Sequence, residues 1–309
     1  MPRFSVVVPA YNASATLSET LDAMLAQELS DWECVVVDDG STDETAVIAD
    51  DYRKRDKRFR LIRQENKGTA GAYKTGLAVA AADLLVICSA DDLLLPGHLC
   101  AMDAFIRENP QNEIYSSNGE YLYHESVRRT VYTKPEWRQE RSLSFEQVVA
   151  ECFFSVGVVF RRRVLEMTGG HRLGVYGEDY DLWLRAMVRG ARHRYTPQVL
   201  SVHRVSSFQL SANLVRVLES NIEVYEHLLA DSSAPPAHQA AIEESIVRNR
   251  ALIEDLPVVQ ALDRQARSLR LRVERVVGAR HIESAMRAIR AVSWVAKPFR
   301  RIVAKLSLH

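Results

Sequence analysis

The feature that most constrains the fold is a series of nearly continuous apolar segments that each end at polar residues. Phe4–Val8, Glu33–Val37 and Leu84–Cys88 are such segments, and stretches with apolar residues three or four positions apart separate them. Apolar strands alternating with amphipathic helices are typical of a parallel sheet that helices cover on both faces. The sequence therefore predicts an α/β fold with a mostly parallel central sheet flanked by helices.

Polar residues follow two of these strands directly. Asp38–Asp43 comes after Glu33–Val37, and Ser89–Asp92 comes after Leu84–Cys88. Ligands of such sheets bind beyond the carboxyl ends of the strands. We therefore expect these two segments to face one crevice, although they are far apart in the sequence.

The composition is that of an ordinary globular protein, with 47% hydrophobic and 26% charged residues. A length of 309 residues allows two domains, or one large domain with an appendage. The four cysteines form no CxxC pair and have no histidine cluster beside them, which argues against a disulfide framework and a zinc site and favours a cytoplasmic location. The first strand begins too early for a signal peptide, and no apolar stretch reaches the about 20 residues that span a bilayer.

Three acidic pairs are the candidate functional residues: Asp38-Asp39, Asp91-Asp92 and Glu178-Asp179. Sugar transfer from a nucleotide donor requires a hold on the base and ribose, stabilisation of the leaving diphosphate, and removal of a proton from the acceptor hydroxyl. Carboxylates serve each need, as hydrogen-bond acceptors, as ligands of a divalent metal beside a diphosphate, or as a general base.

Each pair also has a structural explanation. Asp38–Asp43 suits a turn and a helix cap, and Asp91-Asp92 suits a turn between a strand and a helix. N-capping accounts for one acid at the start of the helix after Gly177, but not for Glu178, Asp179 and Asp181 together. A carboxylate in that position is favoured as the anion, so its pKa rises far only with help from burial or a neighbouring acid.

The ordered set of motifs resembles one family. Val6–Asn12 followed by Val35–Asp43 resembles the opening of the family 2 glycosyltransferases of the GT-A fold. Asn66-Lys67-Gly68 with Ala70-Gly71-Ala72 is similar to the next loop of that family, and Gly177–Arg185 resembles its catalytic-base segment. The order and spacing match over residues 1–211, which are predicted to form the catalytic domain.

The resemblance implies a Rossmann-like nucleotide-diphospho-sugar transferase. Such a hexosyltransferase-like enzyme inverts the anomeric carbon in a single in-line displacement. It implies that Asp38 hydrogen-bonds the base with Asp39 beside it, that Asp91 binds a metal, and that Asp179 is the general base with Glu178 as its neighbour. The nucleotide-binding residues that it implies are Pro9, Ala10, Tyr11, Asn12, Asp38, Asp39, Lys67, Gly68, Ser89, Ala90 and Asp91.

The resemblance also sets expectations about ligands. The expected donor is a UDP-sugar, and the expected acceptor is a saccharide or a lipid-linked sugar. The expected pathway is the synthesis of a cell-envelope polysaccharide, a glycolipid or another glycan. A divalent metal, Mn²⁺ or Mg²⁺, is the expected cofactor. The remaining candidate site residues are Trp183, on the acceptor side, and Arg204, beside the diphosphate.

Two positions depart from the family pattern. Ser89 stands where the first carboxylate of a DxD motif is usual, and a hydroxyl can bond a ribose or a metal-bound water but brings no charge. The usual Tyr-Arg-x-His string corresponds to His203-Arg204-Val205-Ser206. His203 is then either a metal ligand together with Asp91 or an ordinary strand histidine. Arg204 is expected to pair with the diphosphate.

The C-terminal part is predicted to be a helical extension over residues 212–309. Its last part is basic, and from Ile282 onward apolar residues recur three or four apart, although the whole chain has 40 basic and 40 acidic residues. This pattern indicates a helix that lies on the inner face of a membrane, packs on its own domain, or binds a partner chain, for example in a homodimer. No nucleic-acid partner is expected.

Other functions remain as alternatives. A nucleotidyltransferase would need a glycine-rich phosphate loop where this chain has Pro9–Asn12, and a dehydrogenase would need GxGxxG after the first strand. A catalytically inactive relative that binds nucleotide sugars or recruits a partner to the membrane is favoured by Ser89. It is disfavoured by Asp179, because an inactive copy has no chemical need for the base.

Overall fold

Four strands near the N-terminus form the parallel part of the sheet. They are β1 (Phe4–Ala10), β2 (Trp32–Asp38), β3 (Phe59–Arg63) and β4 (Leu84–Ile87). Their order is β3-β2-β1-β4, and each neighbouring pair is parallel. The helices that connect them are α1 (Leu17–Leu25), α2 (Thr45–Arg55) and α3 (Gly68–Val79). This computed structural model describes residues 1–123, 127–131, 135–150, 154–205, 214–231 and 234–277.

The sheet becomes mixed beyond β4. The later strands are β5 (Leu93–Leu94), β6 (Ile114–Tyr123), β7 (Val127–Thr130), β8 (Arg141–Leu143), β9 (Val159–Arg161) and β10 (His193–Val205). The sheet continues from β4 in the order β9-β6-β10-β5. Strand β9 is antiparallel to both β4 and β6, whereas β6 and β10 are parallel. The later helices are α4 (His98–Glu108), α5 (Phe145–Ala150), α6 (Arg163–Thr168), α7 (Glu178–Val188), α8 (Leu214–Ala230) and α9 (Pro236–Val277), with a short 3₁₀ helix at Pro135–Arg138.

The strands are apolar on both faces because each face has its own core. Val7 and Val35 belong to one buried cluster, and Val6 and Val36 belong to the cluster on the other face. Helix α3 approaches β1 most closely at Gly76, where an added Cβ would lie 2.4 Å from Cγ1 of Val7. Only a glycine allows this close approach. The α/β sheet with helices on its faces that the sequence predicts is therefore the observed one.

The first compact unit extends beyond residue 211, the boundary that the sequence predicts for the catalytic domain. It comprises Met1–Ile246, and Val247–His309 forms a second unit. Helix α8 belongs to the first unit because Val224, Tyr225 and Leu228 are buried in its core. The first helix of the predicted helical extension therefore packs into the core of the first unit.

The basic amphipathic segment that the sequence predicts from Ile282 onward lies outside the described residues, as does Ser206. Within the described part of the chain, none of the helices is both long and apolar enough to cross a membrane. The predicted contacts of the segment with a membrane or a partner chain stay predictions.

Candidate active site

Hydrogen bonds join the loops that follow β1 and β2. Asn12 has a φ of 48° and donates its backbone N–H to Oγ of Ser41 at 3.0 Å. Its side-chain oxygen accepts the N–H of Thr42 at 2.9 Å. Asparagine adopts this left-handed conformation more readily than most residues. Beside it, the Tyr11 ring is 54% exposed, which leaves an aromatic face for stacking at the end of β1.

Asp38 is committed to holding the turn after β2. It is 1% exposed, and each of its oxygens has a partner. Oδ1 accepts the N–H of Ser41 at 3.0 Å, and Oδ2 accepts Nε of Arg63 at 3.2 Å. This is the turn explanation that the sequence leaves open, and it leaves Asp38 poorly placed to accept a further hydrogen bond from a base.

Asp39 has one oxygen in use and one open. Its Oδ1 accepts Nε2 of Gln64 at 2.6 Å and the backbone N–H of Lys67 at 2.9 Å. No described residue bonds its Oδ2. Lys67 precedes helix α3, and Gly68 follows it with a φ of 73° that glycine adopts without strain. The open oxygen makes Asp39 the stronger of the two candidates for base recognition.

Side chains in and next to α1 hold the segment that carries Asp91. The hydroxyls of Thr16 and Thr20 lie 2.9 Å and 3.0 Å from the carbonyl oxygen of Ala90, and Thr20 also lies 2.9 Å from the carbonyl of Asp92. Gln27 donates Nε2 to the carbonyls of residues 94 and 95 at 3.2 Å and 2.9 Å. The backbone after β4 is therefore fixed from the side of α1.

Arg204 of β10 holds the same segment from the other side. Its Nε donates to the carbonyl of Asp91 at 3.2 Å, and its backbone N–H donates to Oδ1 of Asp92 at 3.0 Å. Its guanidinium also forms an ion pair with Glu19 of α1. These contacts engage the guanidinium within the protein, and the predicted pairing of Arg204 with the diphosphate stays a prediction.

His203 lies among acidic residues. Its Nδ1 is 3.0 Å from Oδ1 of Asp92. Burial lowers the pKa of His203, but the negative charges of Asp92, Asp91 and Asp179 outweigh it, and the pKa is raised. Burial raises the pKa of Asp92, against the opposing effect of His203. An imidazolium is thus stabilised at this edge of the sheet.

A divalent metal fits here only with help from a ligand. No three histidine, cysteine or acidic side chains of the described residues lie close enough together to hold a metal ion. Asp91 is half-buried and its charge acts on His203, so the protein offers a carboxylate and, once the His203 imidazolium has lost its proton, an imidazole. A hard cation takes about six ligands, which diphosphate oxygens and water would complete. The donor set fits a metal that binds together with the nucleotide.

Glu178 and Asp179 form a half-buried acid pair at the start of α7. Burial raises the pKa of Glu178, and the neighbouring Asp179 raises it further. Burial also raises the pKa of Asp179, although the N–H of Tyr180 donates to its Oδ1 at 2.7 Å. Burial and a neighbouring acid thus supply the help that a raised pKa requires at a helix N-terminus. A carboxylate with a raised pKa suits a general base.

The geometry agrees with a sequence comparison. The model of the family "Glycosyl transferase family 2" matches residues 5–168, which is more than half of the chain. The chain belongs to glycosyl transferase family 2. It is 25% identical to the Escherichia coli enzyme WfaP, named as a UDP-Glc:alpha-D-GlcNAc-diphosphoundecaprenol beta-1,3-glucosyltransferase, over 72% of this chain and 86% of WfaP. In three other curated relatives the match spans only 41%, 20% and 30% of the relative's own length.

Solved structures of this family's fold resemble the chain. Staphylococcus aureus TarS 1-349 in complex with UDP-GlcNAc superposes with a TM-score of 0.66 at 18% identity, covering 81% of this chain and 72% of TarS. The mannosyltransferase PcManGT from Pyrobaculum calidifontis, in complex with GDP-Man and Mn²⁺, gives 0.65 at 23% identity over 99% of this chain and 84% of PcManGT. The predicted GT-A fold is confirmed.

Two residues of α7, Asp181 and Trp183, are buried and make contacts within the protein. Asp181 is fully buried and accepts Nε of Arg185 at 2.8 Å and Nε of Arg172 at 3.1 Å. Trp183 is 0% exposed, and its ring centroid lies 5.0 Å from that of Phe160. The side chain of Trp183 lies in the core and has no free surface in this structure, so its burial does not support the predicted contact with the acceptor.

Tyr73 lies outside the sequence motifs that predict the site. It is 4% exposed and stacks on His171 with ring centroids 5.0 Å apart. Burial raises its pKa, and the charge of Glu178 adds to the effect, while a hydrogen bond with Ser89 opposes it. The uncharged Ser89 thus has an uncharged hydroxyl as its partner. Only the absence of a carboxylate at position 89 signals this pairing in the sequence.

Proposed function

We propose that this protein transfers a sugar from a nucleotide-diphosphate sugar to an acceptor hydroxyl with inversion at the anomeric carbon. The observation that carries the proposal is the half-buried pair Glu178–Asp179, whose pKa values are raised next to the segment of Asp91. Asp179 takes the proton of the attacking hydroxyl, and the nucleoside diphosphate leaves from the opposite side of the sugar. Glu178 keeps the pair's affinity for a proton high.

The donor lies at the carboxyl ends of β1, β2 and β4. Its base stacks on Tyr11 and donates a ring N–H to the open Oδ2 of Asp39. A UDP-sugar is the favoured donor, since WfaP is named for UDP-Glc and TarS is in complex with UDP-GlcNAc. PcManGT, in complex with GDP-Man, shows that related folds also accept a guanine nucleotide.

Asp91 and His203 would hold a divalent metal, Mn²⁺ or Mg²⁺, together with the diphosphate. Such an ion stabilises the negative charge of the leaving group when it is bound. The protein's own contribution is the segment after β4, which Thr20 contacts from one side and Arg204 from the other. These contacts keep the Asp91 carboxylate in position. The complex of PcManGT with Mn²⁺ supports a metal of this kind.

The acceptor is a saccharide or a lipid-linked sugar, and the pathway is envelope polysaccharide or glycolipid synthesis. The name of WfaP, whose acceptor is a diphosphoundecaprenol-linked sugar, supports this proposal. A cytoplasmic protein at the inner face of the membrane would meet such an acceptor. The alternative of an inactive relative that only binds nucleotide sugars is favoured by Ser89 alone.

Two measurements test the proposal. Thermal unfolding with UDP, GDP, CDP and ADP, each with and without Mn²⁺, should show a higher melting temperature for at least one nucleotide. Asp179→Asn should lose hydrolysis and transfer of that nucleotide's sugars by about 10²-fold or more while binding the nucleotide as before. Asp83→Asn is the matched control, because Asp83 directly precedes β4 at the opposite edge of the sheet. No stabilisation by any nucleotide, or full activity of Asp179→Asn, would refute the proposal.

A further inference from the structure

We propose that Gln64 sets the nucleobase preference of the site. It occupies one oxygen of Asp39 and leaves a single acceptor, which suits uracil and disfavours guanine. This inference rests on the proposed function, in which Asp39 faces the base of the donor. It adds a specificity-determining residue that lies outside the motifs of the sequence analysis.

The Asp39 carboxylate is held in one orientation. The residue is 2% exposed, and its backbone N–H donates to the carbonyl of Ala10 at 2.8 Å. Nε2 of Gln64 and the N–H of Lys67 both donate to Oδ1, at 2.6 Å and 2.9 Å. Within the described part of the chain, Oδ2 has no hydrogen-bond donor. The two oxygens are therefore unequal before any ligand binds.

Thr75 fixes which end of the Gln64 amide faces Asp39. The Thr75 hydroxyl donates to Oε1 of Gln64 at 2.6 Å, so Nε2 points toward the carboxylate. A flipped amide would set Oε1 against the negative charge of Asp39 and would leave the Thr75 hydroxyl facing a donor. The chain Asp39–Gln64–Thr75 thus has one favourable arrangement of donors and acceptors.

The nucleobases differ in the donors that they present to such a carboxylate. Uracil presents one ring N–H between two carbonyls, which a single free oxygen satisfies. Guanine presents a ring N–H and an amino group side by side, which match both oxygens of a carboxylate. With Oδ1 already taken by Gln64, one guanine donor stays unpaired, a loss of about tenfold or more in affinity. Cytosine has an acceptor at the ring position and is repelled.

The test compares the dissociation constants of UDP and GDP by calorimetry for the wild type and variants that unfold cooperatively. The wild type should favour UDP by about tenfold or more. Gln64→Leu keeps the side chain similar in size and removes one of the two donors to Oδ1, which opens one acceptor position beside the Lys67 N–H. The GDP-to-UDP ratio of dissociation constants should therefore fall by about tenfold. Thr75→Val should shift the ratio in the same direction, and Thr75→Ser should restore it. Thr168→Val is the control, since it removes a hydrogen-bonded hydroxyl (2.7 Å to the carbonyl of Val164) away from Asp39.

The outcomes separate this inference from the proposed function. A folded Gln64→Leu variant with the wild-type ratio of dissociation constants would overturn the role of Gln64. A wild type that binds GDP more tightly than UDP would overturn it as well. Both results would leave the glycosyltransferase proposal intact. A wild type that binds neither UDP nor GDP would also overturn this inference, and one that binds none of UDP, GDP, CDP and ADP would overturn the proposed function itself. A ratio that falls in Gln64→Leu and Thr75→Val, but not in Thr168→Val, supports the inference.

Discussion

Replacing Asp181 by asparagine should destabilise the protein strongly. Asp181 is fully buried between Arg172 and Arg185, and Arg185 is 4% exposed and also donates to the carbonyls of Thr168 and Gly170, both at 2.7 Å. Removing one partner of a buried ion pair costs about 3–5 kcal/mol of unfolding free energy. The Arg172 side chain is 33% exposed and regains water, so we expect the lower end, about 3 kcal/mol. For a unit of this size that lowers the melting temperature by about 6–12 °C.

Thermal unfolding followed by circular dichroism or calorimetry measures the change. Asp50→Asn is the matched control, because Asp50 pairs with Arg53 and Lys54 on the surface of α2, where ion pairs contribute little. The control should melt with the wild type. If Asp181→Asn also melts with the wild type, the three-residue network does not stabilise the start of α7, and the argument from burial fails.

Two further predictions concern the acid-bearing segments. Thr20→Val removes the hydroxyl that reaches the carbonyls of Ala90 and Asp92, so the donor KM and the Mn²⁺ concentration for half-activation should each rise about 3–10-fold, and Thr20→Ser should restore them. Unchanged constants in initial-rate kinetics would contradict the role of α1. Glu178→Gln removes an acid whose folded-state pKa is raised above its ordinary 4.5. Because such an acid lowers stability as pH rises above that value, the variant's advantage in melting temperature should grow from pH 5 to pH 8; a constant difference would argue against the shift.

Local patterns in the sequence predict the first half of the sheet well. Segments such as Leu84–Cys88 are apolar at every position, as strands buried on both faces require. The antiparallel insertion of β9 between β4 and β6 has no such signal, since a three-residue strand shows no periodicity. Pairing partners of short strands are decided by tertiary packing, which a local pattern does not record.

The candidate site is likewise predictable from the sequence only where a local pattern marks a residue. The motifs place Asp39, Asp91 and Asp179 correctly on loops and at a helix start, because each lies next to a recognisable element. The contacts of Gln64 and Arg204 join positions 25 and 113 residues apart, to Asp39 and to the backbone of Asp91 respectively. Nothing near either residue in the sequence announces its partner, so the structure was needed to separate ligand-binding groups from groups that hold the site.

The string Asp38-Asp39-Gly40-Ser41-Thr42-Asp43 shows why identical side chains must be sorted by their partners. Asp38 has a donor on each oxygen, and for Asp43 burial is outweighed by hydrogen bonds from Thr45 and Ser14, which lower its pKa to about 2. Such acids are already stabilised by donors within the fold, so they gain less from a ligand. Asp39 keeps an open oxygen, and Glu178 has a raised pKa, so each is incompletely satisfied in the free protein. That deficit is the physical reason for our proposal that Asp39 recognises the base and that the acid pair of α7 takes up the proton.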